Sequence, residues 1–309
     1  MNLIICCTPL QVLIAEKIME NYPEEKFFGV MLHTVDNSKF SHYKARLKSK
    51  CQAGFFSLLQ HNDRINLLKE IIRLKFFFTG KSFVRVFVAN FTELHIQFLL
   101  SSVKFEQFYT FDDGTVNIVE SSPFLRNDPK TPMRKMINCI LGNRFSNQKL
   151  RTLSQKHYTI YQGFPNIIKN TEGIDLIENS EINSDDVESV NILLGQPVYA
   201  DDDANIALAE KVIKKFNIHY YFPHPREKYK LSNISYINTP LIFEDYIISK
   251  FSKRKCKVYT YFSSAILNLN NKSPNIDMAA LKIETHDPAF DATYALFEKL
   301  EINVIDIRE

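Results

Sequence analysis

Short apolar runs alternate with longer segments of helical period, and the chain does this twice. In the first half, runs at 2–7, 26–32, 53–58, 84–89 and 105–111 predict strands. The segments at 10–20, 37–49, 62–78 and 91–102 predict helices. Leu10, Leu13, Ile14 and Ile18 fall on one face of the first of these, the stripe that a helix lying on a sheet needs. Such alternation implies parallel strands, because each helix carries the chain back to the end of the sheet where the previous strand began. A second series starts at Val190, with strands predicted at 190–195, 218–223, 256–262, 281–284 and 302–307 and helices at 202–216, 241–252 and 287–300. Asp287 reads as the cap of that last helix and Pro288 as its first residue.

Residues 118–185 break the rhythm. They hold a basic helix candidate, Pro132–Phe145, a strand-like run, Tyr158–Tyr161, and a polar stretch, 166–186, too poor in apolar residues for a core element. That stretch reads as a linker. The expected fold class is α/β: two Rossmann-like domains with parallel sheets, residues 1–185 and 186–309, facing a central cleft.

Composition narrows the function. Hydrophobic residues at 45% and charged residues at 24% exclude disorder. A net charge of +3 with no long block of like charge argues against a nucleic-acid partner. The cysteines Cys6, Cys7, Cys51, Cys139 and Cys256 include no Cys-x-x-Cys pair and are odd in number, which points to a reducing cytoplasm rather than a disulfide scaffold or zinc site. Met1-Asn2 leads straight into an apolar strand without a basic leader, and no run reaches the roughly 20 apolar residues of a membrane span.

In open α/β sheets ligands bind beyond the carboxyl ends of the strands, and polar groups stand at several of those ends. Asp112-Asp113-Gly114-Thr115 follows the strand 105–111. A hairpin turn uses Asp-Gly in the same way. No metal-ligand cluster accompanies the pair, so a sugar hydroxyl is the expected ligand rather than a cation. Gly195-Gln196-Pro197 makes a tight exit from the strand 190–195, and Asp201, Asp202 and Asp203 come next. Acidic residues there cap a helix, but three exceed what one cap needs. Asp201 is furthest from the helix and is expected to face the cleft as a base. His224, between Pro223 and Pro225 and followed by Arg226, is rigidly presented at a strand tip, suited to an acid or a phosphate donor. Ser263 and Ser264 open a helix-like run, where hydroxyls and free N–H groups hold phosphate or simply cap. Glu244 and Asp245 begin another helix, which suits the dipole or a ribose.

Together, Phe-Asp-Asp-Gly-Thr-Val-Asn (111–117), Ile-Leu-Leu-Gly-Gln-Pro (192–197), Pro-His-Pro-Arg (223–226), Pro-Leu-Ile-Phe-Glu-Asp-Tyr-Ile (240–247) and Tyr-Thr-Tyr-Phe-Ser-Ser-Ala (259–265) resemble glycosyltransferase family 52, bacterial sialyltransferases acting on lipooligosaccharide. The opening Asn-Leu-Ile-Ile-Cys-Cys-Thr-Pro-Leu-Gln (2–11) is similar to the family's first strand and turn. The likeness spans nearly the whole chain in order. It implies a GT-B fold and metal-independent transfer of sialic acid from CMP-sialic acid to a terminal galactose, with inversion and without a cofactor. It implies an aspartate base after the Leu-Leu-Gly-x-Pro strand, with the match between Asp201 and Asp202 open, and an acid at His224. Ser263 and Ser264 correspond to phosphate-binding hydroxyls and Glu244 to a ribose-binding acid. Asp112, Asp113, Gly114, Thr115, Gly195, Gln196, Pro197, Asp202, Pro225 and Arg226 are expected to line the substrates.

The resemblance leaves the linkage leaning to the 3-position by family habit, and leaves open whether the chain forms a homodimer. A donor change to another nucleotide sugar such as glucose, and an inactive glycan- or nucleotide-binding relative, are the alternatives. Lys69, Arg73, Lys75, Lys81 and Arg85 interleave with apolar residues over 67–85, and Arg134, Lys135 and Arg144 over 132–145. These stretches read either as peripheral contacts with the anionic inner membrane or as ordinary helices packed on the sheet.

Overall fold

A computed structural model describes residues 1–59, 64–177, 189–269, 273–285 and 288–308. The chain divides into two compact units, Met1–Asp175 and Leu176–Glu309. The boundary expected at 185/186 falls in residues 178–188, outside the described residues.

The first unit is built from β1 (Asn2–Cys6), α1 (Pro9–Glu20), β2 (Phe27–His33), α2 (Ser38–Lys50), β3 (Ala53–Leu58), α3 (Arg64–Phe78), β4 (Ser82–Val88), α4 (Leu94–Ser102) and β5 (Lys104–Phe111). It continues through α5 (Pro132–Leu141), α6 (Asn147–Leu153), β6 (Lys156–Thr159) and β7 (Thr171–Gly173). The seven strands order as β3-β2-β1-β4-β5-β6-β7, and every neighbouring pair is parallel. All residues of β1 and β2 are buried, as continuous apolar strands covered on both faces must be. Leu3, Val30, Phe78, Val88, Leu99 and Phe108 belong to one core cluster. Local chemistry starts the helices: the Thr8 hydroxyl accepts from Gln11 N at 3.3 Å with Pro9 in the first helical position, and Asn37 caps α2 through Phe40 N.

The second unit holds β8 (Val190–Leu194), α7 (Asp202–Lys215), β9 (Tyr220–Phe222), β10 (Ser235–Tyr236), α8 (Phe243–Phe251), β11 (Cys256–Thr260), β12 (Ile276–Lys282), α9 (Pro288–Lys299) and β13 (Asn303–Asp306). A short 3-10 helix, Ser264–Asn268, follows β11. The six-stranded sheet runs β10-β9-β8-β11-β12-β13, again all parallel. Both sheets therefore reverse direction beside their first strand, between β1 and β4 and between β8 and β11. In doubly wound sheets this reversal opens the ligand crevice.

Three expectations need correction, and one short strand carried no expectation. The stretch read as a linker contributes β7, an edge strand beside β6, and Ile174, Leu176 and Ile177 after it are buried. Its apolar residues are too sparse to show a period; the backbone ladder to β6 and the Lys156–Glu172 ion pair across it make the strand. The strand expected at 281–284 starts at Ile276, because Asp277, which hides it in the sequence, lies opposite Lys257 and pairs with it at 3.1 Å. The two-residue strand β10 gave no sequence signal. The helix expected from 91 starts at Leu94, since the Asn90 side chain accepts from Thr92 N at 3.0 Å and turns the chain first. The cap expected at Asp287 lies outside the described residues.

The basic stretches also resolve. On α3, Ile71, Leu74 and Phe78 pack inward, while Ile65, Leu68, Ile72 and Phe76 stay exposed, Phe76 at 81%. On α5 no residue is buried, and Met133, Met136 and Ile140 are exposed. Leu67 and Ile71 share an apolar groove with Met133 and Ile137, so the two helices lie side by side. Arg85 is paired with Glu25 at 2.6 Å, and Arg144 donates to the carbonyls of Ser101 and Val103, so both belong to the fold rather than to that face. Lys69 and Lys135 are exposed. Among the described residues no helix is long and apolar enough to cross a membrane.

Candidate functional site

In the second unit the ends of β8, β9 and β11 are tied into one frame. Gln196, just past β8, turns its side chain across the reversal point. Its Oε1 accepts from Phe262 N at 3.0 Å and from the Thr260 hydroxyl at 3.2 Å. Gln196 was expected to touch substrate, but this oxygen is committed to holding the β11 loop. Gly195 is bare for a similar reason. A Cβ there would lie 2.1 Å from Tyr221 Oη, so the glycine admits the tyrosine of β9. Tyr229 Oη reaches back to the Gln196 carbonyl at 3.5 Å.

His224 stands at the tip of β9. Arg226 N donates to its Nδ1 at 3.1 Å, which makes Nδ1 an acceptor and places the proton of the neutral ring on Nε2. Glu227 N donates to the His224 carbonyl at 3.0 Å. The Glu227 carboxylate in turn accepts from Tyr221 Oη at 2.6 Å and, through the same Oε2, from His224 N at 3.4 Å. Burial pushes this carboxyl above its ordinary value, and the two hydrogen bonds pull it back. Pro225 and the Arg226 side chain are exposed at the tip.

The acidic triplet departs from expectation. Asp201 does not stand clear of the helix; it is the N-cap of α7, with Oδ2 accepting from Ala204 N at 3.1 Å. Asp202 and Asp203 occupy the first turn, and all three are exposed. The Asp202 side chain makes no hydrogen bond among the described residues. Tyr229 is raised chiefly by burial, and Glu227 and Asp202 add to the shift as nearby carboxylates. The start of α7 therefore lies close enough to Tyr229 for the Asp202 charge to act on it, as the Glu227 charge of the His224 loop does. Asn205 sits in the first turn and a half of the helix. Its side chain accepts from Val198 N and Tyr199 N and donates to the carbonyls of Tyr199 and Asp201, which fixes the loop after Pro197.

Ser263 caps the short helix, its Oγ accepting from Ala265 N at 3.3 Å, and Ser264 opens it. Glu244 in the first turn of α8 is buried and accepts from Asn268 Nδ2 at 2.6 Å. The ribose candidate and the serine pair are thus joined through one side chain of the 3-10 helix.

The first unit gathers a separate group at the ends of β1, β4 and β5. Asp112 is fully buried, and its carboxylate accepts from His157 Nε2, the Thr159 hydroxyl and Ile160 N at 2.7–2.8 Å. It is thereby corrected from a ligand contact to an internal tie between β5 and β6. Asp113 accepts from Gln11 Nε2 and, at 3.0 Å, from Asn90 Nδ2, while its own N–H donates to Asn117 Oδ1. Cys7 N donates to Gln11 Oε1 at 2.5 Å, which orients that amide. Burial raises the Asp113 carboxyl to about 6, partly offset by Gln11 and Asn90. Gly114 adopts φ +79°, a left-handed turn that lets Thr115 bridge back to Asp113. Gln11 and Asn90 escaped the sequence reading. Their signal was position alone, each a short step past a strand on either side of the reversal. Among the described residues no group of three His, Cys, Asp or Glu side chains is placed to hold a metal ion.

Residues 24–285 match the family model described as Glycosyltransferase family 52. The chain is 61% identical over 311 residues, covering all of both chains, to a CMP-N-acetylneuraminate:beta-galactoside alpha-2,3-sialyltransferase of Pasteurella multocida (strain Pm70). It is 38% identical over 305 residues to an N-acetyllactosaminide alpha-2,3-sialyltransferase of Haemophilus influenzae, covering 98% of this chain and 99% of that one. Among solved structures, an Arabidopsis thaliana protein complexed with UDP-L-rhamnose matches with a TM-score of 0.52 at 10% identity, over 99% of this chain and 85% of that one. A UDP-glucosyltransferase from Polygonum tinctorium matches at 0.50 and 11%, over 96% and 82%. At those identities the likeness is one of fold, the GT-B type expected from the sequence.

Proposed function

Because the chain belongs to glycosyltransferase family 52, we propose that it transfers sialic acid from CMP-sialic acid to a terminal galactose in α2,3 linkage, with inversion and without a metal. The full-length relationship to the Pasteurella sialyltransferase carries this reading. The frame at the ends of β8, β9 and β11 supplies groups suited to each part of the chemistry.

The bond from the sugar to the CMP phosphate breaks with oxocarbenium character, so one group must take the acceptor proton and others must hold charge growing on phosphate. We assign the base to Asp202. Asp201 has a carboxylate oxygen engaged as a cap, whereas the Asp202 carboxylate at the same helix mouth is not so engaged. Positioned proton transfer of this kind is worth about 10²–10⁴-fold. His224 donates its Nε2–H to a phosphate oxygen. A phosphate whose second pKa is near ~6 leaves readily at neutral pH, so a hydrogen bond is enough there. Ser263 and Ser264 stabilise the same charge by the logic of an oxyanion hole. Glu244, steadied by Asn268, takes the ribose hydroxyls. In the first unit, Asp113 with Gln11 and Asn90 is by itself suited to sugar hydroxyls.

Incubation with CMP-sialic acid and lactose, followed by mass and linkage analysis, tests the proposal. It expects sialyl-α2,3-lactose and CMP in equal amounts, undiminished in EDTA. Turnover with UDP release from a UDP-sugar, and none from CMP-sialic acid, would overturn it. Asp202→Asn is expected to lower kcat by about 10²–10⁴-fold. His224→Ala should remove most turnover while leaving CMP binding largely intact.

The natural acceptor in this proposal is a lipooligosaccharide, and the exposed apolar face of α3 and α5 is what meets its membrane. Phe76, Met136 and Ile140 provide apolar surface there, with Lys69 and Lys135 exposed on the same helices to meet anionic headgroups. Cosedimentation with anionic vesicles should occur at low salt, weaken at high salt and fall in a Phe76→Ser/Ile140→Ser variant. A lipid-independent dimer lost in that variant would instead assign the face to a second copy of the chain.

A further inference from the structure

We propose that Glu227 is a positioning residue for the transfer, holding the His224 loop so that the imidazole presents Nε2–H to the phosphate; this rests on the reading of His224 given above. Glu227 belongs to none of the motifs that carry the family resemblance, yet one of its oxygens gathers two donors that define the loop. Tyr221 Oη binds it at 2.6 Å from the strand, and His224 N binds it at 3.4 Å from the tip. The backbone closes the same turn from the other side, with Glu227 N on the His224 carbonyl at 3.0 Å. Arg226 N fixes the ring through Nδ1 at 3.1 Å, so the orientation of the ring follows the path of residues 224–227.

The strand side of this arrangement is rigid. Tyr221 is buried, and its hydroxyl sits where a Cβ on Gly195 would have to go, so it cannot swing toward β8. Tyr221 therefore acts as a fixed post and Glu227 as the strut from post to loop. Prolines at 223 and 225 limit the backbone angles of the tip but do not choose its direction relative to the sheet. The strut makes that choice.

Glu227→Ala, Glu227→Gln and Tyr221→Phe, with Glu227→Ala also placed on His224→Ala and Tyr221→Phe backgrounds, test the idea. Turnover of CMP-sialic acid and CMP affinity are read on each. Misplacement by about 1 Å lowers rate by roughly 10²-fold, so Glu227→Ala should lose about 10–100-fold in kcat. CMP affinity should stay within about 3-fold, a split that general unfolding would not give. Glu227→Gln keeps an oxygen able to accept from both donors and should recover most of the loss. Tyr221→Phe, which leaves the loop bond in place, should lose several-fold and add nothing to Glu227→Ala. In the His224→Ala background Glu227→Ala should have no further effect. Full additivity with His224→Ala, or wild-type turnover in Glu227→Ala, overturns the role of Glu227 alone. Wild-type turnover in His224→Ala overturns the His224 reading and this inference with it. Should Glu227→Ala fail to fold, the Gln and Phe variants decide: a Gln variant as impaired as His224→Ala refutes the strut.

Discussion

Replacing Gln196 separates its role as a brace from contact with substrate. In Gln196→Leu two donors lose their acceptor, but not equally. The Thr260 hydroxyl also faces the Leu194 carbonyl at 3.4 Å and keeps a partner there. Phe262 N loses its 3.0 Å bond with no replacement. An unsatisfied buried donor costs about 1–3 kcal/mol, and because Phe262 is only half-buried the lower end applies, about 1 kcal/mol. The effect on rate should be larger than that on stability, since the freed residue immediately precedes the serine pair. A shift of about 1 Å there corresponds to roughly 10²-fold in kcat. Gln196→Glu retains an acceptor for both donors and should unfold near the wild-type denaturant midpoint. It adds a negative charge beside the proposed phosphate position, so its donor KM should rise and depend on salt. Urea unfolding and steady-state kinetics on both variants suffice. A Leu variant with wild-type kcat, or a Glu variant as destabilised as Leu, would refute the brace.

Three further outcomes are expected. Gly195→Ala forces a methyl group within 2.1 Å of Tyr221 Oη, so overpacking should cost about 1–3 kcal/mol by urea unfolding and lower turnover as the Tyr221–Glu227 bond breaks. The Asp113 carboxyl is raised in the fold, so its ionisation disfavours the native state. The penalty is absent below the unfolded value near ~4, grows as pH rises toward 6 and is then constant. The stability of Asp113→Asn relative to wild type should therefore improve by about 2–3 kcal/mol between pH 4 and 7.5, while acceptor KM worsens; a difference flat with pH would refute the buried ionisation. Asp201→Ala should lose about 1 kcal/mol of stability as a lost cap while retaining far more turnover than Asp202→Asn; the reverse ranking would return the base to Asp201.

The doubly wound order was legible because each strand is a short apolar run and each helix has its own period. The polar groups at the strand ends were legible because they directly follow the apolar runs. Less visible was the division of labour within each motif, since the deciding partners lie far along the chain. Asp112 and Asp113 are adjacent, yet one is buried against His157 and the other faces Gln11, 102 residues away. Gln196 finds its donors 64 and 66 residues on. Asp201 looked remote from its helix because the triplet gives no way to say which residue caps. Glu227 was passed over as one more charge after Pro-His-Pro-Arg, and only the fold brings Tyr221 onto it.

The absence of any buried side chain on α5 has a dynamic consequence. A ten-residue helix is marginal in water, and α5 gains little from the core. The Thr131 cap with Pro132 at one end and the left-handed Gly142 at the other supply much of what keeps it wound. Its amides should then exchange with deuterium through local opening, well ahead of those in β1 or β4. Seating Met133, Met136 and Ile140 in a lipid surface would slow that exchange selectively, so the helix would report on its surroundings before the rest of the domain registers them.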